Sequence, residues 1–383
     1  MDTLDLLRLI LARDAAAPPA ADRWDAAAWD AVHRATVAWD AAPLALAAVR
    51  TARLGAHVPP RILDEWRRDH TATTAVNLRL AFEAEALVGA LASRGAAALP
   101  LKGTALFQLG VWRDPGARPT CDVDLLIRPE DGPIVDRAIV DRGYVRTRAG
   151  GSKHWPPYVR DGLVVEVHEH AFWSLADGHR VRLAEMIGPD GKPALPMVVA
   201  HLVHHLFESS VTMPWLAVKT LADLAEVRAF VEARAASEPG LAEEIAAAVR
   251  RLGLGRRLGA LAGLLARVIE RPVPAAWTAE ARPSDVEALL RRCAPESGAR
   301  VEALRILDRS AAFSRMPLRE KVALLRHHLL PPAEAMRATY GLPPGSPWVW
   351  PLYPLRPLHL AGRSALDAAR LLMPKKTPGS GRS

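Results

Sequence analysis

Asp122 and Asp124 sit two residues apart in an otherwise apolar run, Cys121-Asp-Val-Asp-Leu-Leu-Ile127. Side chains of a strand alternate between its faces. The spacing therefore predicts both carboxylates on one face, with Cys121, Val123, Leu125 and Ile127 on the other. Paired carboxylates repel each other and resist desolvation, and a divalent cation relieves both costs. Upstream, the apolar run Ala97 to Leu101 leads into Lys102-Gly103-Thr104 and a helix-compatible segment from Ala105. A glycine turn opening a helix offers free backbone N–H groups and a positive dipole end, which suits a phosphate. Metal carboxylates beside a phosphate cradle are the equipment of phosphoryl or nucleotidyl transfer.

A third carboxylate follows on similar logic. Asp161-Gly162 separates Tyr158-Val-Arg160 from Leu163-Val-Val-Glu-Val-His168, and Asp-Gly between β-prone runs predicts a hairpin. In its second arm Leu163, Val165 and Val167 share one face, and Val164, Glu166, His168 and His170 the other. A strand carrying Glu166 and His168 together can neighbour the Asp122 strand.

Lys102-Gly103-Thr104 followed by Arg118-Pro-Thr-Cys-Asp122-Val-Asp124-Leu-Leu-Ile resembles the signature of the polymerase-beta-like nucleotidyltransferase superfamily. More narrowly it resembles a bacterial branch in which Lys-Gly replaces the more usual Gly-Ser. The motif-bearing resemblance spans about Leu78 to Glu226. It implies an α+β fold, with a mixed-sheet core preceded by N-terminal helices and followed by a helical C-terminal domain. It also implies transfer of a nucleoside monophosphate from an NTP to an acceptor hydroxyl, releasing pyrophosphate. Asp122, Asp124 and Glu166 would hold two Mg2+ ions, with Glu166 alternatively the general base. Gly103 and Thr104, with Lys102, would hold the β- and γ-phosphates. Two departures stand out: the loop from Gly103 to Asp122 is longer than in minimal enzymes, and the hydroxyl after glycine is a threonine.

Other candidates have two readings each. Lys102 is either a phosphate ligand or an ordinary strand-end lysine, and Arg118 either neutralises developing charge or anchors its loop. In Pro196 to Glu208, His201, His204, His205 and Glu208 recur at helical spacing. They line a cleft or pack, with a transition-metal site as the lesser reading because no His-Glu-x-x-His motif is present. His205 and His168 are taken as bordering the nucleotide, His168 through the metal carboxylates or a phosphate. Lys219 and Asp223 are spaced for an i, i+4 ion pair. In the functional reading Lys219 approaches the triphosphate and Asp223 orients the acceptor. A non-catalytic nucleotide-binding or interaction protein of the same fold is the first rival. A metal-dependent phosphohydrolase using His168, His201, His205 and Asp223 is the second. The acceptor is open among protein, RNA, and small molecule or peptide.

The elements that must position these groups divide the 383 residues into four stretches. Residues 1–96 read as helices, with Leu4 to Ile10 and then Trp24, Trp29, Val32 and Trp39 as apolar patterns. Pro59-Pro60 interrupts them. A helix from about Thr71 to Gly95 should then place Leu78, Leu80, Phe82, Leu87 and Leu91 on the sheet. Residues 97–190 read as the catalytic core, with a helix over Ile134 to Asp141, and 191–345 as a helical domain broken at Pro239-Gly240, Arg271-Pro272 and Pro331-Pro332. Residues 346–383 read as an extended Pro/Trp-rich strap, an amphipathic helix near Ala361 to Met373, and a disordered polar tail. The strap is expected to pack on its own domain rather than on a membrane surface. The formal charge is +8, mostly from arginine; it is read as spread over helix surfaces, since no dense basic cluster interleaved with aromatics points to RNA. Cys121 and Cys293 form no disulfide framework, and neither a signal peptide nor a membrane-length apolar run is found. The expectation is a cytoplasmic protein.

Overall fold

Alternation and turn chemistry produce the sheet as expected. In a computed structural model of the chain, the described residues are 2–11, 24–147, 155–172, 175, 181–209, 214–294, 333, 336, 340, 342–343 and 346–356. Five strands, β1 (Ala98–Pro100), β2 (Val123–Ile127), β3 (Val145–Arg146), β4 (Tyr158–Arg160) and β5 (Leu163–His168), are ordered β1-β2-β5-β4-β3. β2 and β5 run parallel, while the other pairs are antiparallel. The β4–β5 hairpin turns through Asp161 and Gly162, both at positive φ, as a tight two-residue turn requires.

Helices cover both faces. Before the sheet come α1 (Thr3–Leu11), α2 (Ala26–Ala38), α3 (Ala42–Thr51) and α4 (Pro60–Ala92). Within it lie α5 (Lys102–Gln108) and α6 (Gly132–Asp141). After it follow α7 (Leu195–Ser209), α8 (Pro214–Arg234), α9 (Leu241–Arg251), α10 (Gly255–Ile269), α11 (Ala275–Thr278) and α12 (Pro283–Cys293). Val123, Leu125 and Ile127 of β2 and Leu163, Val165 and Val167 of β5 pack with the last third of α4 and with α6. Leu126 turns to the opposite face and joins a larger core built from α1–α3, α5 and α7–α12. That face carries Asp124, Glu166 and His168.

Several expectations are corrected. Pro59-Pro60 does separate two helices, but the long helix begins at Pro60 rather than near Thr71, because the first turn of a helix leaves its N–H groups unpaired in any case. Leu80, Leu87 and Leu91 are buried against the sheet, whereas Leu78 and Phe82 are 58% and 71% exposed. Residues two before and two after Leu80 lie about 200° round the helix from it. The larger core draws on residues from 1–96, 97–190 and 191–345 alike. The chain divides into one compact unit of Met1–Thr147 with Gly151–Ser297, and another of Arg148–Gly150 with Gly298–Ser383. In the second unit the supposed extended strap is helical. Pro347 opens a 3-10 turn, Pro347–Val349, and residues 352–356 are α-helical, since proline is tolerated in a first turn. Trp350 stacks on Tyr353 with ring centres 5.7 Å apart. Pro331-Pro332, the helix near Ala361 to Met373 and the polar tail lie outside the described residues. Among the described residues no helix is long and apolar enough to cross a membrane.

Candidate active site

The parallel pairing of β2 and β5 sets Asp124 opposite Glu166, and Leu126 opposite His168. One oxygen of the buried Asp124, Oδ1, accepts from Lys102 Nζ at 2.7 Å and from His168 Nε2 at 2.8 Å. His168 Nε2 lies 3.9 Å from a Glu166 oxygen. Ligand atoms of Asp124, Glu166 and His168 all fall within 4.8 Å of one another, a spacing that suits one cation. Asp122 stands just before β2, half-buried, and is not part of that trio.

The electrostatics divide the two aspartates. Burial works against ionisation of Asp124, but Lys102 and His168 outweigh it and hold its carboxyl well below the usual range. For Asp122, burial and then the neighbouring Asp124 charge raise the pKa despite Lys102. Asp122 thus carries the charge that most needs an added cation. Lys102 itself sits at the strand-to-helix turn with φ 50°, a left-handed conformation that costs a lysine about 1 kcal/mol or more. Burial would lower its pKa, yet Asp124 and Asp122 more than compensate and the ammonium is held above its ordinary value.

The neighbouring turn and loop are tightly specified. A Cβ on Gly103 would lie 2.1 Å from Arg118 Nη1, so glycine here makes room for a guanidinium. Thr104 is buried. Of the two readings of Arg118, the structure shows the anchor. Its Nε and Nη2 donate to the two oxygens of Asp223 on α8 at 2.6 and 2.9 Å, and Nη1 donates to Thr120 at 2.8 Å. Trp112 Nε1 also donates to Asp223 Oδ1 at 2.9 Å. Asp223 is therefore absorbed by the loop. The Lys219–Asp223 ion pair does not form, and among the described residues the histidine-plus-Asp223 metal set of the phosphohydrolase rival is not assembled. Lys219, half-buried, has no carboxylate within ion-pair distance among the described residues, and its ammonium lies 5.6 Å from the Trp215 ring centre. Burial and then the Arg118 charge lower its pKa to about 8; Asp223, Cys121 and Asp122 pull the other way.

On α7, His201 and His205 stack at 6.2 Å between ring centres and feel the charges of Lys102, Asp124 and His168. Both are neutral: burial, then Lys102, pushes His201 down to about 3 and His205 well below its ordinary value. His204 packs near Phe172. Sequence reasoning missed Asn77, whose amide donates to the carbonyls of Pro115 and Arg118 at 2.6 and 2.7 Å and fixes the loop from α4. A signal was present: Asn77 lies three residues before Leu80, on the helix's buried stripe, where a polar side chain needs a specific partner.

A family model described as "Uncharacterised nucleotidyltransferase" matches residues 25–270. No curated protein and no solved structure matches the chain.

Proposed function

Because the chain belongs to this uncharacterised nucleotidyltransferase family, we propose that it moves a nucleoside monophosphate from an NTP to an acceptor hydroxyl on a polymerase-beta-like core. The observation that carries the proposal is the side-by-side placement of Asp124 and Glu166 on parallel strands, with Asp122 adjoining and Lys102 against them. A nucleotide-binding protein that had given up catalysis would be expected to lose these carboxylates, and this chain keeps three. Their oxygen-rich donor set fits Mg2+, which Asp122 and Asp124 would hold, with two ions expected for in-line displacement and Glu166 left as the base. Bound there, the metal supplies charge neutralisation for the triphosphate and a lowered pKa for the acceptor hydroxyl.

The chain's own residues do the rest. Glu166 takes the acceptor's proton as the acceptor oxygen bonds to the α-phosphorus. The bond from that phosphorus to the bridging oxygen breaks, and pyrophosphate leaves with the electron pair. Lys102 and Lys219 neutralise the β- and γ-phosphates, with the backbone at Gly103 and Thr104 alongside. Arg118 and Asp223 fix the loop that delivers Asp122, and His168 orients Asp124. His205 borders the nucleotide. The acceptor is a hydroxyl of a protein, an RNA end, or a small molecule or peptide. The test offers each labelled NTP with Mg2+ to a cell extract, using wild type, Asp122→Asn and Asp124→Asn. Label transfer by wild type, and its loss by orders of magnitude in both variants, is expected. Transfer at the wild-type rate by both variants overturns the assignment.

A further inference from the structure

The long helix α4 carries an apolar seam on the face that the sheet does not use. Successive helical residues are about 100° apart. Leu80, Ala84, Leu87 and Leu91 form the stripe buried against the sheet. On the opposite side Ala75, Leu78, Ala86 and Gly89 all lie within about 40° of Phe82. Leu78 and Phe82 project into solvent there. A surface helix ordinarily turns charged and polar residues outward, and an exposed apolar seam marks an interaction surface. Gly89 points the same way. Glycine inside a helix is destabilising relative to alanine, and a Cβ at this position would meet nothing within 4 Å. No neighbour in the chain requires it, but its bare backbone lets another helix come close.

The seam is also complementary to itself. Reversed end for end about Phe82, it sets Leu78 opposite Ala86, Ala75 opposite Gly89, and Arg79 level with Glu85. The larger side chain of the first pair thus meets a small one, the second pair is small on both sides, and the charges are of opposite sign. Arg79 and Glu85 flank Phe82, both exposed, and neither has an ion-pair partner among the described residues. We propose that α4 pairs with α4 of a second copy of this chain, antiparallel, about a two-fold axis at Phe82. Phe82 packs on Phe82 at the axis, and Arg79 of each copy reaches across the seam to Glu85 of the other. Such a contact uses the same patch twice and closes at two copies. It leaves the sheet side of α4, with Asn77 and the loop it grips, untouched.

The test is sedimentation velocity of the full chain from about 1 to 200 µM, since one helix pair is a small interface and a dissociation constant on the order of 10 µM is expected. Phe82→Glu places two like charges on the axis and should be monomeric throughout, with the wild-type melting temperature at low concentration because residue 82 is exposed in the single chain. Arg79→Glu and Glu85→Arg should each weaken the dimer about tenfold, and both together should restore it. Monomer at every concentration, the result if a different protein covers the seam, overturns the proposal. So does a dimer that Phe82→Glu leaves intact, or a double charge swap that does not recover. Cross-linking checks the register without relying on a disrupted interface. Under mild oxidation Phe82→Cys should link to its own copy beyond any linking by the wild type, whose Cys121 is exposed. Leu78→Cys should link to Ala86→Cys in a mixture but not to itself. Self-linking of Leu78→Cys, or none by Phe82→Cys, overturns the proposal as well.

Discussion

Arg118 and Asp223 lie 105 positions apart and meet in a two-pronged ion pair, with side chains only 4% and 1% exposed. Removing one partner of so enclosed a pair strands the other charge, at a cost of ~3–5 kcal/mol. Asp223→Ala should therefore lower the midpoint of urea unfolding markedly, and should free the loop that ends at Asp122. Arg118→Met with Asp223→Leu, which removes both charges, should recover much of the stability. Equal stability of Asp223→Ala and wild type would show that the pair is not an anchor.

The two aspartates should part company in a metal-free melting experiment. Asp122 has its pKa raised in the folded state, so its ionised form opposes folding above that pKa. Asp122→Asn should melt at or above the wild-type temperature at pH 7. Asp124 has its pKa depressed, so its contribution is complete above the unfolded value of about 3.9 and is lost as pH falls through the lower folded value. Asp124→Asn leaves the Lys102 ammonium without its ion pair and should melt lower. A shared shift in either direction would contradict this division of charge.

The proposed phosphate contact of Lys219 predicts a pH dependence. With its pKa lowered to about 8, its charge disappears as pH rises through that value, and triphosphate affinity should fall there. Lys219→Arg keeps its charge throughout and should flatten the profile between pH 7 and 9.5. Calorimetric titration of the Mg2+ complex of a non-hydrolysable NTP across that range gives the answer. An unchanged slope in the variant would exclude Lys219 from the phosphate contacts.

Gly103→Ala puts a methyl group on the Arg118 guanidinium. Overpacking of this kind costs roughly 1–3 kcal/mol. The expected outcome is a lower melting temperature and weaker Mg2+-nucleotide binding together, since Arg118 cannot yield without releasing Asp223. A variant that binds nucleotide normally would show that the loop tolerates a shifted arginine.

Legibility in the sequence followed the range of the interactions. The alternation around Asp122 and Glu166 and the Asp161-Gly162 turn are local, and they gave the strands, their faces and the hairpin. The partners of Asp223 were not legible, because Lys219 sits one helical turn away whereas Arg118 and Trp112 reach it from a distant loop. Glycine at 103 suggested a phosphate turn on spacing alone, but the space it leaves is filled by the guanidinium of Arg118, on the loop that follows α5. The tautomer of His201 depends on a backbone carbonyl 30 positions away and could not be read from helical periodicity.

With 33 residues, α4 is about 50 Å long, and it contributes to both hydrophobic cores: Ile62 and Trp66 near its start, Leu80, Leu87 and Leu91 towards its end. Asn77 grips the Arg118 loop between those two stretches. The helix is thus a beam fixed at both ends with the loop hung from its span. Neither core can melt without releasing the beam, and a released beam lets go of the loop that carries Asp122. Loss of the site and loss of the fold should therefore be one cooperative event. An isolated fragment starting at residue 97 would be a sheet lacking its buttress, not a minimal enzyme.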